Sequence, residues 1–221
     1  MAKRIVIDLE MCMVQKTYRS KRFPCATEII QIGAVMLDEA NEIVSEFCSY
    51  VKPEHGVINN YIRRLTGICQ KDVKPANPLG EVIREMWDWI GDQEVIFISW
   101  SDTDYYQLKK ELHLKGVDIK EVALLTDPCN WIDYQKVFET RFKFGRVFSL
   151  KDALFFVELD PDGRLHDGLS DAINTARLIA TLENNPEKMF LADRIRKQEQ
   201  DAAHFGTSME HLLKGFNLQT A

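Results

Sequence analysis

The sequence predicts one α/β domain on a mixed sheet, and three observations carry that prediction. Three strand-like segments follow one another near the start, joined by turn-like stretches. Helix-like segments then alternate with two further apolar runs, and no repeat or low-complexity linker interrupts residues 1–183. Hairpin neighbours pair antiparallel, and strands separated by helices return parallel. The expected core is therefore a mixed five-stranded sheet, three antiparallel strands then two parallel, flanked by helices.

The first element covers residues 4–10, where Ile5, Val6 and Ile7 run into Asp8 and Glu10. Residues two apart on a strand share a face, so both acids point the same way. After a basic, polar stretch over 15–24, residues 28–37 read as a mostly buried strand, 38–41 as a turn and 42–51 as a third strand. Helix-like patches follow at 58–65 and 78–90, the second with Pro78 at its start and Gly91 just past its end. Residues 94–100 form a fourth apolar strand running into Ser101-Asp102-Thr103-Asp104, which supplies capping chemistry for a helix over 105–115. The short apolar run 122–125 is the expected fifth strand. Residues 131–142, 150–157 and 170–182 read as helices, the last with Ile173, Ala176 and Ala180 at i, i+3 and i+7. Asn184-Asn185-Pro186 marks a break, which leaves 184–221 as a C-terminal, helix-compatible extension.

Composition bounds the function. With 45% hydrophobic and 28% charged residues in 221, the chain has enough apolar surface for its own core and is not a disordered chain. No stretch approaches the ~18 apolar residues of a membrane span, so no membrane partner is expected. Cys12, Cys25, Cys48, Cys69 and Cys129 are an odd number without CxxC spacing, which points to reduced thiols and a cytoplasmic location. A net charge of −6 disfavours indiscriminate polyanion binding, so any contact with nucleic acid has to be local.

Acids stand at strand ends and helix starts in three separated places: Asp8 with Glu10, Asp102 with Asp104, and Asp171 with His166 five residues before it. An isolated Asp in such a place is ordinarily a cap or turn residue. Asp8 is different, because it interrupts an apolar strand where an unpaired carboxylate is costly and a bound cation would offset the cost. Carboxylates from adjacent strands and a facing helix suit hard divalent cations.

The blocks Asp8-Leu9-Glu10, Glu28-Ile29-Ile30-Gln31-Ile32-Gly33-Ala34, Leu65-Thr66-Gly67-Ile68, residues 99–108 and His166-Asp167-Gly168-Leu169-Ser170-Asp171-Ala172 resemble, in order and spacing, the DEDDh 3′-to-5′ exonucleases. Within that group the chain is similar to the Eri-1-type RNA exonucleases and to KapD-like sporulation-inhibitor proteins. The resemblance covers residues 3–183 and implies a ribonuclease H-like fold. It implies that Asp8, Glu10, Asp104 and Asp171 hold two Mg²⁺ or Mn²⁺ ions, with His166 as the general base. Asp102 and Asp104 both fit the residues alone; the resemblance selects Asp104, because Leu108 follows it by four. It further implies that Met11, Leu65 and Thr66 contact the terminal nucleotide, Thr66 through its hydroxyl or backbone. The implied substrate is the 3′ end of single-stranded RNA or DNA, released as nucleoside 5′-monophosphates.

Two basic groups offer a phosphate-binding rim: Lys16, Arg19, Lys21 and Arg22 with Arg63 and Arg64, and Arg141, Lys143, Arg146 and Arg164. Trp87, Trp89, Trp100, Tyr105 and Tyr106 are expected in the core. The alternative function is a regulatory module that binds nucleic acid or protein on the same fold. That reading predicts eroded acids, and all are present. A weaker alternative is a metal-dependent phosphatase acting on small nucleotides.

Overall fold

The structure is a computed structural model that describes residues 2–16, 23–91 and 94–185. Its elements fall within one compact unit, Met1–Asn184. The strands are β1 (Lys3–Met13), β2 (Thr27–Leu37), β3 (Ile43–Tyr50), β4 (Val95–Ser99) and β5 (Trp131–Asp133). They form one sheet in the order β3-β2-β1-β4-β5. β1 runs antiparallel to β2 and β2 to β3, whereas β4 is parallel to β1 and β5 to β4. The mixed ribonuclease H-like sheet expected from the sequence is therefore present. The helices are α1 (Asn60–Thr66), α2 (Gln70–Val73), α3 (Leu79–Ile90), α4 (Thr103–Leu114), α5 (Val122–Thr126), α6 (Tyr134–Phe142), α7 (Leu150–Phe156) and α8 (Gly168–Asn184).

The fifth strand is not the run at 122–125. That run is α5, in which Leu125 is fully buried and Leu124 is 44% exposed, and Leu125 N donates to Glu121 O. Four apolar residues are too few for periodicity to separate strand from helix. β5 instead takes the first three residues of a segment expected to be helical. Asp133 ends the strand and caps α6 by accepting from Lys136 N, so strand passes directly into helix.

Alternation along β1 gives the sheet two different faces. Ile5, Ile7 and Leu9 join Val82, Ile83 and Met86 of α3 and Leu108 and Leu112 of α4 in the main core. Asp8 and Glu10 lie on the other face, opposite Gly33 and Gln31 of β2. α8 packs there, on β1 and β2. Its seat is so close that a Cβ at Gly33 would lie 2.1 Å from the Gly168 backbone.

A second buried charged group closes the far end of α4. Lys115 Nζ lies 2.7 Å from Glu28 Oε1 and 3.1 Å from Glu111 Oε2, with all three side chains at most 6% exposed. Glu28 also accepts the backbone N–H groups of Glu54, His55 and Gly56, and Glu111 accepts from Ile29 N and Gln107 Nε2.

Candidate active site

β1 is paired with β4 only over Lys3 to Val6, so beyond that point its β4-side edge has lost its neighbour. The chain leaving β4 turns into α4 there, and Asp104 in the first turn fills the gap: its Oδ1 accepts from Leu9 N at 3.1 Å. Asp104 is thereby held beside the acids of β1 and is itself buried. Asp102, two residues earlier, points elsewhere. It makes no side-chain cap to α4 and pairs with Lys136 Nζ at 2.7 Å, so the capping role expected for this acid is not observed. Ser101 Oγ accepts from Thr103 N instead.

Asp171 comes from the first turn of α8. Its Oδ2 accepts from His166 N at 2.8 Å, and its Oδ1 is buried without a hydrogen-bond partner. His166 is exposed and adopts φ 63°, a left-handed conformation that costs a non-glycine residue roughly 1 kcal/mol. The hydrogen bond to Asp171 helps to hold that turn. Ligand atoms of Glu10, His166 and Asp171 all lie within 4.8 Å of one another, a group that can hold a metal ion.

The electrostatics are those of acids forced together. Burial, then the charges of Asp104, Asp171 and Glu10, pushes Asp8 well above the usual carboxylate range. Burial, then the charges of Asp171, Asp104 and Asp167, pushes Glu10 to about 8. Burial raises Asp104 to about 7 despite its bond from Leu9 N, and it raises Asp171 despite the His166 N–H and imidazole. Carboxylate oxygens, among them the unpartnered Asp171 Oδ1, are the donors a hard divalent cation takes, so these residues fit the implied metal.

The expected substrate contacts are less uniform. Met11 follows Glu10 across a register shift in β1 and is half-buried against the main core. Leu65 is half-buried at the end of α1. Thr66 is buried, and its hydroxyl donates its proton to Ile62 O and accepts from Ile68 N, so it has no proton to donate to a ligand. Arg63 and Arg64 are exposed in the last turn of α1. Arg164 reaches across to that turn and donates to Arg64 O and Leu65 O. The rest of its expected group is dispersed: Arg141 pairs with Glu183 at 2.8 Å, and Arg146 lies over the Phe148 ring. Arg19, Lys21 and Arg22 lie outside the described residues. Trp87, Trp100 and Tyr105 are buried and Trp89 half-buried, as expected of core residues, but Tyr106 is 61% exposed.

Two residues beside the acids escaped the sequence reading. Asp167 caps α8 by accepting from Ser170 N, and its charge adds to the field on Asp8 and Glu10. Gln31 stands opposite Glu10 and bonds to Asp167 and Gly168. The signal for Asp167 was present in the sequence as an Asp immediately before a helix.

Residues 5–179 match the RNase T family model, described as "Exonuclease". The chain is 30% identical over 202 residues to ERI1 exoribonuclease 2 of Mus musculus, covering 79% of this chain and 27% of that protein. It is 29% identical over 176 residues to the 3′-5′ exonuclease Snipper of Drosophila melanogaster, covering 70% and 60%. The chain thus spans about a quarter to a third of the curated ERI1 exoribonuclease 2 proteins it matches. Among solved structures, it resembles the nuclease domain of 3′hExo, a DEDDh family member bound to rAMP, with a TM-score of 0.66 at 24% identity over 83% of this chain and 92% of that one. A full-length 3′-exonuclease gives 0.68 at 23% identity, over 83% and 61%. With the sheet, the acids and the family match in agreement, the chain belongs to the RNase T family of exonucleases.

Proposed function

We propose that the chain is a metal-dependent 3′-to-5′ exonuclease that removes nucleoside 5′-monophosphates from the 3′ end of single-stranded RNA or DNA. One observation carries the reading. Asp8, Glu10, Asp104 and Asp171 are brought together beside β1, burial and neighbouring acids hold their carboxyls above the usual range, and Asp171 keeps a buried oxygen without a hydrogen-bond partner.

These four carboxylates are the ligands of two Mg²⁺ or Mn²⁺ ions. When bound, the cations supply positive charge that favours deprotonation of an attacking water and stabilises the departing 3′ oxygen. The chain's own residues do the rest. The His166 imidazole accepts the water's proton, and Asp171 holds its turn through His166 N. Met11 and Leu65 wedge the terminal base, which tolerates any base, and the Thr66 backbone meets the sugar or phosphate. Arg63 and Arg64 extend the site along the chain being degraded. Residues 1–183 are the catalytic domain, with 184–221 as an extension. Among the described residues no helix is long and apolar enough to cross a membrane. All five cysteines are free, which supports a reducing, cytoplasmic setting.

The test is purified protein incubated with 5′-labelled single-stranded and duplex RNA and DNA, with Mg²⁺, Mn²⁺ or EDTA. Stepwise shortening of single strands that needs the metal and stops at a blocked 3′ end is expected. Cutting of circular strands, or turnover in EDTA, would overturn the reading.

A further inference from the structure

Gln31 is a polar side chain in the middle of a buried strand, 1% exposed. An amide there is tolerated only if both of its ends are bonded. Both are: the two shorter bonds go to the segment between His166 and Asp171, and Nε2 also donates to Cys48 Sγ at 3.5 Å. Gln31 Oε1 accepts from Gly168 N at 2.9 Å, and Nε2 donates to Asp167 Oδ2 at 3.1 Å. The partners fix the amide's orientation, because an N–H must meet Oε1 and a carboxylate must meet Nε2.

The placement of this side chain links three of the acids. Gln31 is the direct cross-strand partner of Glu10, and Gly33, two residues on, is the partner of Asp8. The Gly33 backbone seats Gly168 so closely that no side chain fits between them. Asp167 in turn accepts from Ser170 N and Ser170 Oγ through Oδ1, and its carbonyl accepts from Asp171 N. Gln31 therefore ties the sheet register that carries Glu10 to the first turn of the helix that carries Asp171. We propose that Gln31 is a positioning residue: with Asp167 it sets the separation between Glu10 and the His166-to-Asp171 turn, and so the geometry in which metal and imidazole meet. This rests on the exonuclease reading above, which supplies the roles of those residues.

The hydrogen-bond polarity gives a decisive test. Gln31→Leu keeps volume but removes these bonds, and should lower kcat by ~10–100-fold with KM changed by less than about 3-fold. Gln31→Glu still accepts from Gly168 N but faces a second carboxylate at Asp167, and should be impaired at least as much. In Gln31→Glu/Asp167→Asn the polarity is reversed: the new amide donates to the new carboxylate, its oxygen still caps Ser170 N, and the number of acids is unchanged. That double variant should return to within about 3-fold of the parent kcat. In parallel, amide exchange of residues 166–168 should speed up in Gln31→Leu and slow again in the double variant, and the Mn²⁺-induced rise in Tm should follow the same order. Parent-like kcat in Gln31→Leu, or a double variant no better than Gln31→Glu, would overturn the proposal. If the parent itself hydrolyses nothing, the exonuclease reading fails, and the amide exchange and Mn²⁺ shift still decide whether Gln31 holds the turn.

Discussion

Asp104 in the first turn of α4 and Glu111 in its last are both buried carboxylates, about 10 Å apart along one helix axis. Around Glu111 the chain supplies its own compensation. Lys115 sits between Glu111 and Glu28, and backbone N–H groups satisfy the remaining oxygens. Burial alone would push Glu28 up, yet Lys115 and the N–H groups of Glu54 and His55 outweigh it and hold Glu28 below its ordinary value. Around Asp104 the neighbours are acids, and burial and their charges raise all four. The same strands and helix therefore carry one charge cluster that contains its own cation and one that leaves room for a cation. A finished ionic group ties elements together; an unfinished one is built to receive something.

Substitutions at the two ends of α4 test that contrast most directly. Asp104→Asn removes a proposed ligand and relieves repulsion. Hydrolysis at saturating Mn²⁺ should drop on the order of 10³-fold, while the metal-free protein keeps or gains stability in urea. A folded Asp104→Asn with parent turnover would break the contrast. His166→Ala should lower kcat by roughly 10²–10⁴-fold with Mn²⁺ binding by calorimetry little changed, which separates a base from a ligand. At the other end the sign reverses. Lys115→Met leaves two buried carboxylates uncompensated and should cost about 3–5 kcal/mol in urea unfolding, with kcat per folded molecule nearly unchanged.

Glu28 and the acid centre respond to pH in opposite directions, while burial raises Glu111 as it raises the acids of the centre. Folded Glu10 holds its proton up to about 8 against an ordinary 4.5, and Asp104 up to about 7 against 3.8. In that window the folded state binds more protons than the unfolded chain, so the acid centre costs stability as pH rises from 5 to 8. Glu28, with its lowered value, contributes stability above its ordinary 4.5 that is lost as pH falls. In EDTA the urea midpoint is expected to decline between pH 5 and 8, and saturating Mn²⁺ should flatten the curve. A flat curve in EDTA would count against the raised acids. The smallest effect belongs to Asp102→Asn, which loses only an exposed contact to Lys136 and should change stability by less than about 1 kcal/mol and leave turnover nearly intact.

Much of this was legible in residue order. Asp8 and Glu10 announced themselves by interrupting an apolar strand, and Pro78 and Gly91 bracketed α3 within a residue. What stayed hidden depended on partners far away in the chain. Gln31 read as a polar break in a buried strand, since its bonds reach residues 136 and 137 positions later. Lys115 read as the charged end of a helix until Glu28 came to meet it. Thr66 carried a hydroxyl that suited a ligand, but the local turn consumed its proton. β5 is three residues long, too short to show a period, and its strand character comes from pairing with β4.

The contact between Gly33 and Gly168 also orders events in time. Residues 8, 10 and 104 leave the ribosome well before residue 171, and the last acid reaches the others only when α8 settles on a sheet made from the first strands. Closing a loop of that length is among the slower steps available to a folding chain. From the synthesis of residue 104 until that of residue 171, a nascent chain therefore holds three of the four carboxylates and lacks both the fourth and the imidazole turn. On the exonuclease reading, hydrolysis begins as a late consequence of assembly, and the young protein is inert beside the RNA from which it is being translated.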